Sequence, residues 1–240
     1  MSVVPSTSPN FKANVKEALA DEQLQNALAN IKNGFVRNRR IASERLAEFE
    51  ALRDQARDIK THTIEHLDVY LEIYQQNVEA SGGQVHWAMD EVEARKIILE
   101  ICQNADAKTV TKGKTMIGEE IGINEYLEEN GIEPIETDLG EYIIQLRGEM
   151  PSHIIAPATH VSKEQVADAF KETHTELDAD RSLEDADDLL AEARAMLRDK
   201  FIQADVGITG ANFLIAETGS SVIVTNEGNG DLTQTLPKVH

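Results

Sequence analysis

The chain has 240 residues, 41% of them hydrophobic, and its 43 acidic and 23 basic residues give a formal net charge of -20. This length can bury one sizeable core with appendages, whereas no stretch reaches the roughly 18 to 20 uninterrupted apolar residues of a membrane span. The acidic excess repels phosphate backbones, which excludes general nucleic-acid binding.

The cysteine content and the N-terminus further restrict the kinds of site and the cellular location that this protein can have. The single cysteine, Cys102, excludes an internal disulfide and also a self-contained iron–sulfur or structural zinc site in this chain. Residues 1–10 contain neither a signal peptide nor a transit peptide, so residence in the cytoplasm is the default expectation.

Residues 1–82 are predicted to form a helical N-terminal extension. Apolar residues recur at helical spacing, for example Leu24, Leu28 and Ile31, until two glycines at 82 and 83 end the pattern. Because this block has no β pattern and few catalytic groups, we expect it to pack on the core or on a partner subunit.

From residue 83 to 240 short β-like runs alternate with helices, which predicts an α/β core with a largely parallel sheet. Ser162 and Ser182 each stand three residues before Gln165 and Asp185, so each is predicted to cap a helix. The predicted strands are 85–88, 108–112, 133–137, 153–158, 206–209, 213–216 and 222–225, and the predicted helices are 90–104, 119–130, 162–172 and 182–203. Within 90–104, Cys102 falls on the apolar stripe and is interpreted as a small core residue.

The end of the chain suggests an incomplete core. A turn-rich stretch at 226–230 is followed by Leu232, Leu236 and Val239, which resembles the approach to another element. We therefore expect the α/β core to be truncated at its C-terminal end.

Ligands of open α/β sheets bind beyond the carboxyl ends of the strands, so polar residues after each β-like run are the first candidates. Lys112 and Lys114 flank a glycine there and could present two ammonium groups to a phosphate or carboxylate. The alternative is that both are exposed loop lysines that serve solubility. No Walker A spacing is present.

Further candidates follow the last predicted strands. Asn212 could orient a ligand, or simply belong to a turn, and Glu217 could act as base or nucleophile, or simply sit in a hairpin turn. Glu227 has the same two interpretations. His160, just past a predicted strand, could be catalytic, although a lone histidine is more often a structural hydrogen bonder, and no partner at metal-ligand spacing accompanies it.

Four ordered blocks, 111–124, 136–146, 151–160 and 207–219, resemble the LUD domain family, and the resemblance extends over 10–240. It is closest in pattern to the N-terminal part of the iron–sulfur lactate-utilisation proteins of that family. The resemblance implies a core similar to the NagB/RpiA/CoA-transferase fold, and a place in a multi-subunit cytoplasmic system that oxidises L-lactate to pyruvate with companion lactate-utilisation subunits.

The resemblance also implies that [4Fe–4S] clusters belong to a ferredoxin-like C-terminal module that this sequence lacks. We therefore expect no cofactor and no metal in this chain, and no oxidation of lactate by this chain alone. Two alternatives are an enzyme of the CoA-transferase or isomerase type acting on an anionic small molecule, and a docking scaffold for partner subunits.

The family blocks carry over a set of site residues, among them Glu119 and Asp138. Glu217 and His160 are the predicted catalytic residues. The predicted ligand-binding residues are Lys112, Lys114, Asn212, Thr218, Gly219, Asn226 and Glu227. Lys112, Lys114, His160, Asn212 and Glu217 are predicted to converge on one concave anion-binding site.

Overall fold

The computed structural model describes residues 8–153 and 155–240. The chain forms two compact units. One contains His86–Asn212 and Ile223–His240, and the other contains the described residues up to Val85 together with Phe213–Val222.

The second unit is built from five helices and a hairpin. The helices are α1 (Phe11–Ala20), α2 (Glu22–Ile31), α3 (Arg37–Glu44), α4 (Phe49–Glu65) and α5 (Leu67–Ala80), with a π-helical turn at Lys32–Val36. In this unit Asp21 caps α2 by accepting the Leu24 N–H at 3.0 Å. None of the five helices contains a buried residue. The helical prediction for this block is confirmed.

The hairpin of the second unit matches the last two predicted strands, 213–216 and 222–225, only in part. Strands β4 (Phe213–Ile215) and β5 (Ser220–Val222) pair antiparallel, with Phe213 opposite Val222. The hairpin is anchored to α5, because Tyr74 Oη lies 2.9 Å from Ser221 Oγ and Asn77 Nδ2 donates to the Ala216 carbonyl at 2.8 Å. Strand β5 begins and ends earlier than the predicted strand 222–225 and shares only Val222 with it.

The first unit is an α/β fold, as predicted. Strands β1 (Thr109–Lys112), β2 (Glu133–Glu136) and β3 (Val206–Ile208) form a parallel sheet in the order β2-β1-β3, and an isolated bridge pairs Val206 with Val239. The helices of this unit are α6 (Glu91–Asn104), α7 (Met116–Glu120), α8 (Ile123–Glu129), α9 (Leu139–Arg147), α10 (Lys163–Thr173), α11 (Ala186–Gln203) and α12 (Asn229–Thr235).

The core of this unit consists of two apolar clusters. Because side chains alternate between the faces of a strand, Val110 and Val206 join the cluster of α6 and α8, whereas Ile135 joins that of α9, α10 and α11. Cys102 is fully buried in the first cluster, as predicted, and burial raises the pKa of its thiol to about 11. Among the described residues, no helix is both long and apolar enough to cross a bilayer.

Two predicted strands are absent. The 153–158 segment forms bends and turns in its described residues, because His153 Nδ1 accepts the N–H groups of Ile155 and Ala156 at 3.1 Å and so competes with strand pairing. Ile154 lies outside the described residues. Residues 85–88 are irregular and lead into α6, whose first turn is held by a bond from the Glu93 N–H to Asp90.

The helix predictions need three corrections. The predicted helix 119–130 is divided at Gly122, whose φ of 64° is left-handed, into α7 and α8. Helices α9 and α12 were not predicted, although Asp138 caps α9 through the N–H groups of Gly140 and Glu141. Ser162 forms the predicted capping box, but the prediction for Ser182 is wrong because α11 starts only at Ala186.

Candidate functional site

A crevice of about 440 Å³ lies at the carboxyl ends of β1 and β3, where ligands of parallel sheets bind. The crevice is lined by Asp138 and by residues 113–117, 209–212, 223–226 and 229–230. It therefore brings together three of the predicted ligand-binding residues, Lys114, Asn212 and Asn226, with Asp138, which the family blocks carried over. The Gly113 N–H donates to the Ile208 carbonyl at 2.8 Å and ties the lysine loop to β3.

Lys114 is the only basic side chain in the crevice lining, within the part of the chain that the structure describes. Its Nζ lies 2.9 Å from Glu141 Oε1 and 3.8 Å from Asp138 Oδ1, and the side chain is 27% exposed. Burial opposes the charge of Lys114, but the hydrogen bond to Glu141 and the nearby carboxylates raise its pKa above the ordinary value. The ammonium group is therefore charged and held in position, and an incoming anion would have to share it with Glu141.

The far wall of the crevice depends on Asn212. Its Oδ1 accepts the Val224 N–H at 2.8 Å, which leaves the Nδ2 group as a donor. Glu227 does not line the crevice; its Oε2 accepts the Leu139 N–H at 3.3 Å at the start of α9. Burial raises the pKa of Glu227, with a smaller contribution from the charge of Asp138. The loop that carries Asn226 is thus fastened to α9.

Lys112 has a different environment from Lys114. It is the last residue of β1, only 1% exposed, and its Nζ lies 2.6 Å from Glu136 Oε1 on the neighbouring strand. Asn124 Nδ2 donates to the same oxygen at 2.7 Å. Lys112 is therefore not an exposed loop lysine, and it does not line the crevice that contains Lys114. Its role in ligand binding stays a prediction.

His160 also lies outside the crevice lining. Its Nδ1 is 2.8 Å from Ser152 Oγ, and its Nε2 is 3.0 Å from Glu149 Oε2. These contacts join the two ends of the 149–160 loop, which matches the structural interpretation of a lone histidine. A catalytic role for His160 stays a prediction.

Glu217, Thr218 and Gly219 belong to the other unit, in the turn between β4 and β5. Glu217 is exposed, and its backbone carbonyl accepts Asn77 Nδ2 at 3.2 Å. The N–H groups of Thr218 and Gly219 both donate to the Ile215 carbonyl, as in a tight turn. This is the hairpin-turn interpretation of Glu217, and its role as a nucleophile stays a prediction.

Several lining residues were missed as ligand candidates. Thr225 and Asn229 lie next to Asn226 in the lining, whereas Asp138, which the family blocks had already carried over as a site residue, lies beside Lys114. The local sequence also points to Asp138, as a helix cap, because it directly precedes the apolar pattern of α9. Across residues 8–153 and 155–240, no group of three or more His, Cys, Asp and Glu residues could hold a metal ion.

The comparison with known proteins identifies the family. Residues 71–240 match the LUD domain. The chain is similar to lactate utilization protein B of Bacillus subtilis (strain 168), with 44% identity over 229 residues that cover 95% of the chain and 47% of that protein. It is also similar to the proteins of the same name from Bacillus pumilus, at 43% identity over 96% of the chain and 48% of that protein, and from Shouchella clausii, at 42% identity over 100% and 50%.

The chain thus spans about half the length of these curated relatives, and the matches cover 95–100% of its own sequence. No solved structure matched the chain. The match to the family model covers well over half of the chain and includes every residue that lines the crevice. The chain therefore belongs to the LUD domain family.

Proposed function

We propose that this chain is the LUD portion of an iron–sulfur lactate-utilisation protein, acting in a cytoplasmic system that oxidises L-lactate to pyruvate. The observation that carries the proposal is the 44% identity over 95% of the chain to a protein named for lactate utilization. Oxidation of lactate to pyruvate releases two electrons and two protons. The electrons would pass to iron–sulfur clusters outside this chain, as the family resemblance implies.

The crevice supports a role in holding a small hydroxy acid. Lys114 offers a charged donor suited to a carboxylate, and charge-assisted hydrogen bonds are the stronger ones in proteins. Asn212 Nδ2 offers a neutral donor for a hydroxyl group. The hydroxyls of Thr209 and Thr225 belong to the same lining, where they contact His240 Nε2 at 2.7 Å and Asp231 Oδ2 at 3.4 Å. In a protein of net charge -20 an anion needs such local positive charge, because the long-range field repels it.

Growth on defined carbon sources tests the proposed function. Cells in which the gene for this protein is deleted should fail to grow on L-lactate but grow normally on pyruvate, the product of the oxidation. The intact gene should restore growth on L-lactate. Normal growth of the deletion strain on L-lactate, with unchanged lactate-dependent dye reduction in its extracts, would contradict the proposal.

The helical unit favours a second role, the docking of companion lactate-utilisation subunits. Helices α1–α5 bury none of their residues, and large apolar side chains such as Phe11, Phe35 and Ile64 are more than half exposed. Exposed apolar surface of this extent is typical of interaction surfaces. Substitution of Phe35 and Ile64 by serine should abolish co-purification of partner subunits, whereas serine at the exposed Lys60 should not.

A further inference from the structure

A second cavity, of about 700 Å³, lies beside α7, α8 and α9. The inference drawn from it does not rest on the proposed role in lactate oxidation. Seven glutamates line this cavity, and Lys112 is the only basic residue in its lining among the described residues. We call it the glutamate cavity. Its wall also includes the apolar side chains of Met116, Ile123, Ile144 and Met150. The cavity is therefore acidic and partly apolar.

Three buried acceptor atoms in the wall of the glutamate cavity have no hydrogen-bond partner among residues 8–153 and 155–240. They are Oε1 of Glu119, Oδ1 of Asn124 and Oε2 of Glu136. The Glu136 side chain is only 5% exposed, so its unpartnered oxygen cannot be satisfied by bulk solvent. Buried polar groups in native proteins are nearly always hydrogen-bonded, and exceptions point to a missing water, ion or ligand. The donors in the cavity wall, such as Lys112 Nζ and Asn124 Nδ2, thus leave these three acceptors unsatisfied.

The negative charges that line the cavity also outnumber the positive ones. Lys112 pairs with Glu136, and Lys114 pairs with Glu141, so that no basic residue in the described part of the chain forms an ion pair with Glu119. Burial, followed by the neighbouring Glu141, raises the pKa of Glu119 to about 7. The charged groups that act on Glu119 are Lys112 from β1, Lys114 from the following loop, Glu136 from β2 and Glu141 from α9. At neutral pH Glu119 is therefore partly protonated, and this proton supplies part of the positive charge that a bound cation would bring.

We propose that the glutamate cavity binds the primary ammonium group of a small aliphatic amine. An ammonium group carries one positive charge and three N–H donors, which suits the unpartnered oxygens of Glu119, Asn124 and Glu136. The apolar wall suits the alkyl chain. A divalent metal ion suits the cavity less well, because no group of three or more His, Cys, Asp and Glu among the described residues could hold one, and the Lys112 ammonium repels a double charge more strongly than a single charge.

Calorimetric titration of this chain with n-butylamine at pH 7 tests the proposal. We expect saturable one-to-one binding, and no binding of n-butanol, which has the same alkyl chain without the charge. Because the ammonium group favours the ionised form of Glu119, binding should release protons, and the measured heat should vary with the ionisation enthalpy of the buffer.

Substitutions test whether butylamine binds in the glutamate cavity. Glu119→Gln should weaken the affinity for butylamine at least tenfold and remove the dependence on buffer, whereas Glu119→Asp should retain part of both. Glu129→Gln is the matched control, since it removes the same charge from an exposed position of α8 outside the cavity lining, and it should change the affinity less than twofold. Thermal melts monitored by circular dichroism verify that each variant is folded.

Four outcomes would overturn the proposal. The first is the absence of saturable heat with butylamine, which would leave ordered water as the partner of the unpartnered oxygens. The second is equal binding of butanol, and the third is equal affinity in the Glu119→Gln and Glu129→Gln variants. The fourth is saturable binding of Mg²⁺ without binding of butylamine, which would identify a metal site instead.

Discussion

Lys112 and Glu136 form a buried ion pair between register partners of the adjacent strands β1 and β2. Their side chains are 1% and 5% exposed, and Nζ lies 2.6 Å from Oε1. The attraction in such a pair is largely offset by the loss of hydration, so the intact pair adds little net stability. Removal of one partner leaves an uncompensated buried charge, which is strongly destabilising.

The Lys112→Met substitution should therefore lower the free energy of unfolding by about 3–5 kcal/mol, measured by urea denaturation at pH 7. The double variant Lys112→Met/Glu136→Leu should recover most of this loss, because no charge remains buried. Lys108→Met, at an exposed position just before the same strand, is the control and should change stability by less than about 0.5 kcal/mol. A loss below about 1 kcal/mol for Lys112→Met would show that the charge of Glu136 is relieved by other means.

Glu192 should make stability depend on pH in the acidic range. Arg181 Nε lies 2.6 Å from Glu192 Oε2, and His174 Nδ1 lies 2.7 Å from Oε1. The Arg181 hydrogen bond, followed by that of His174, lowers the pKa of Glu192 below its ordinary value of 4.5 despite burial. The lowered pKa means that the folded state favours the ionised carboxylate. Its stabilisation is complete above pH 4.5 and is lost as the pH falls through the folded-state pKa.

The Glu192→Gln variant should be about 3–5 kcal/mol less stable than wild type at pH 7, with a difference that narrows below the ordinary pKa. Urea denaturation of both proteins across neutral and acidic pH measures this difference. Glu129→Gln, on an exposed helix face, should match wild type throughout. A difference that stays constant on acidification would contradict the assignment of the effect to the ionised carboxylate.

Gly207 in β3 should not tolerate a side chain. A Cβ atom at this position would lie 1.9 Å from the Thr233 carbonyl oxygen, which is backbone and cannot move aside cheaply. Gly207→Ala should therefore cost more than about 3 kcal/mol or prevent soluble expression. Gly34→Ala is the matched control, because nothing lies within 4 Å of its Cβ and alanine favours helix by up to about 1 kcal/mol. Comparable stability of the two variants in thermal melts would contradict the close packing at Gly207.

Lys114 should be required for stabilisation by L-lactate. Ligand at roughly 100 times its dissociation constant stabilises the folded state by about 2.7 kcal/mol, which a thermal melt detects readily. L-Lactate should raise the melting temperature of wild type and of Lys96→Met, an exposed control, but not of Lys114→Met. Lys112 is unsuited to this test, because its substitution breaks the buried ion pair. Equal stabilisation of Lys114→Met would show that the ligand is held elsewhere.

Part of the fold could be predicted because the signals are local. The strands at 109–112, 133–136 and 206–208 coincide with short apolar and β-branched runs. Ser162 and Gln165, three residues apart, form the capping box that marks the start of α10. The 153–158 segment shows the limit of this approach. Its apolar run resembles a strand, but the imidazole of His153 takes the N–H groups that a strand would need.

The sequence by itself determined the α/β class, the helical block before residue 83, the LUD family and the position of Lys114 beyond a strand end. These depend on periodicity, caps and ordered blocks, which are properties of neighbouring residues. Only the tertiary structure decided that Lys112 is buried against Glu136 while Lys114 reaches the crevice, and that Glu217 belongs to a different unit from Lys114. The physical reason is that burial and pairing depend on which distant segments pack against a residue, and a linear pattern does not contain that information.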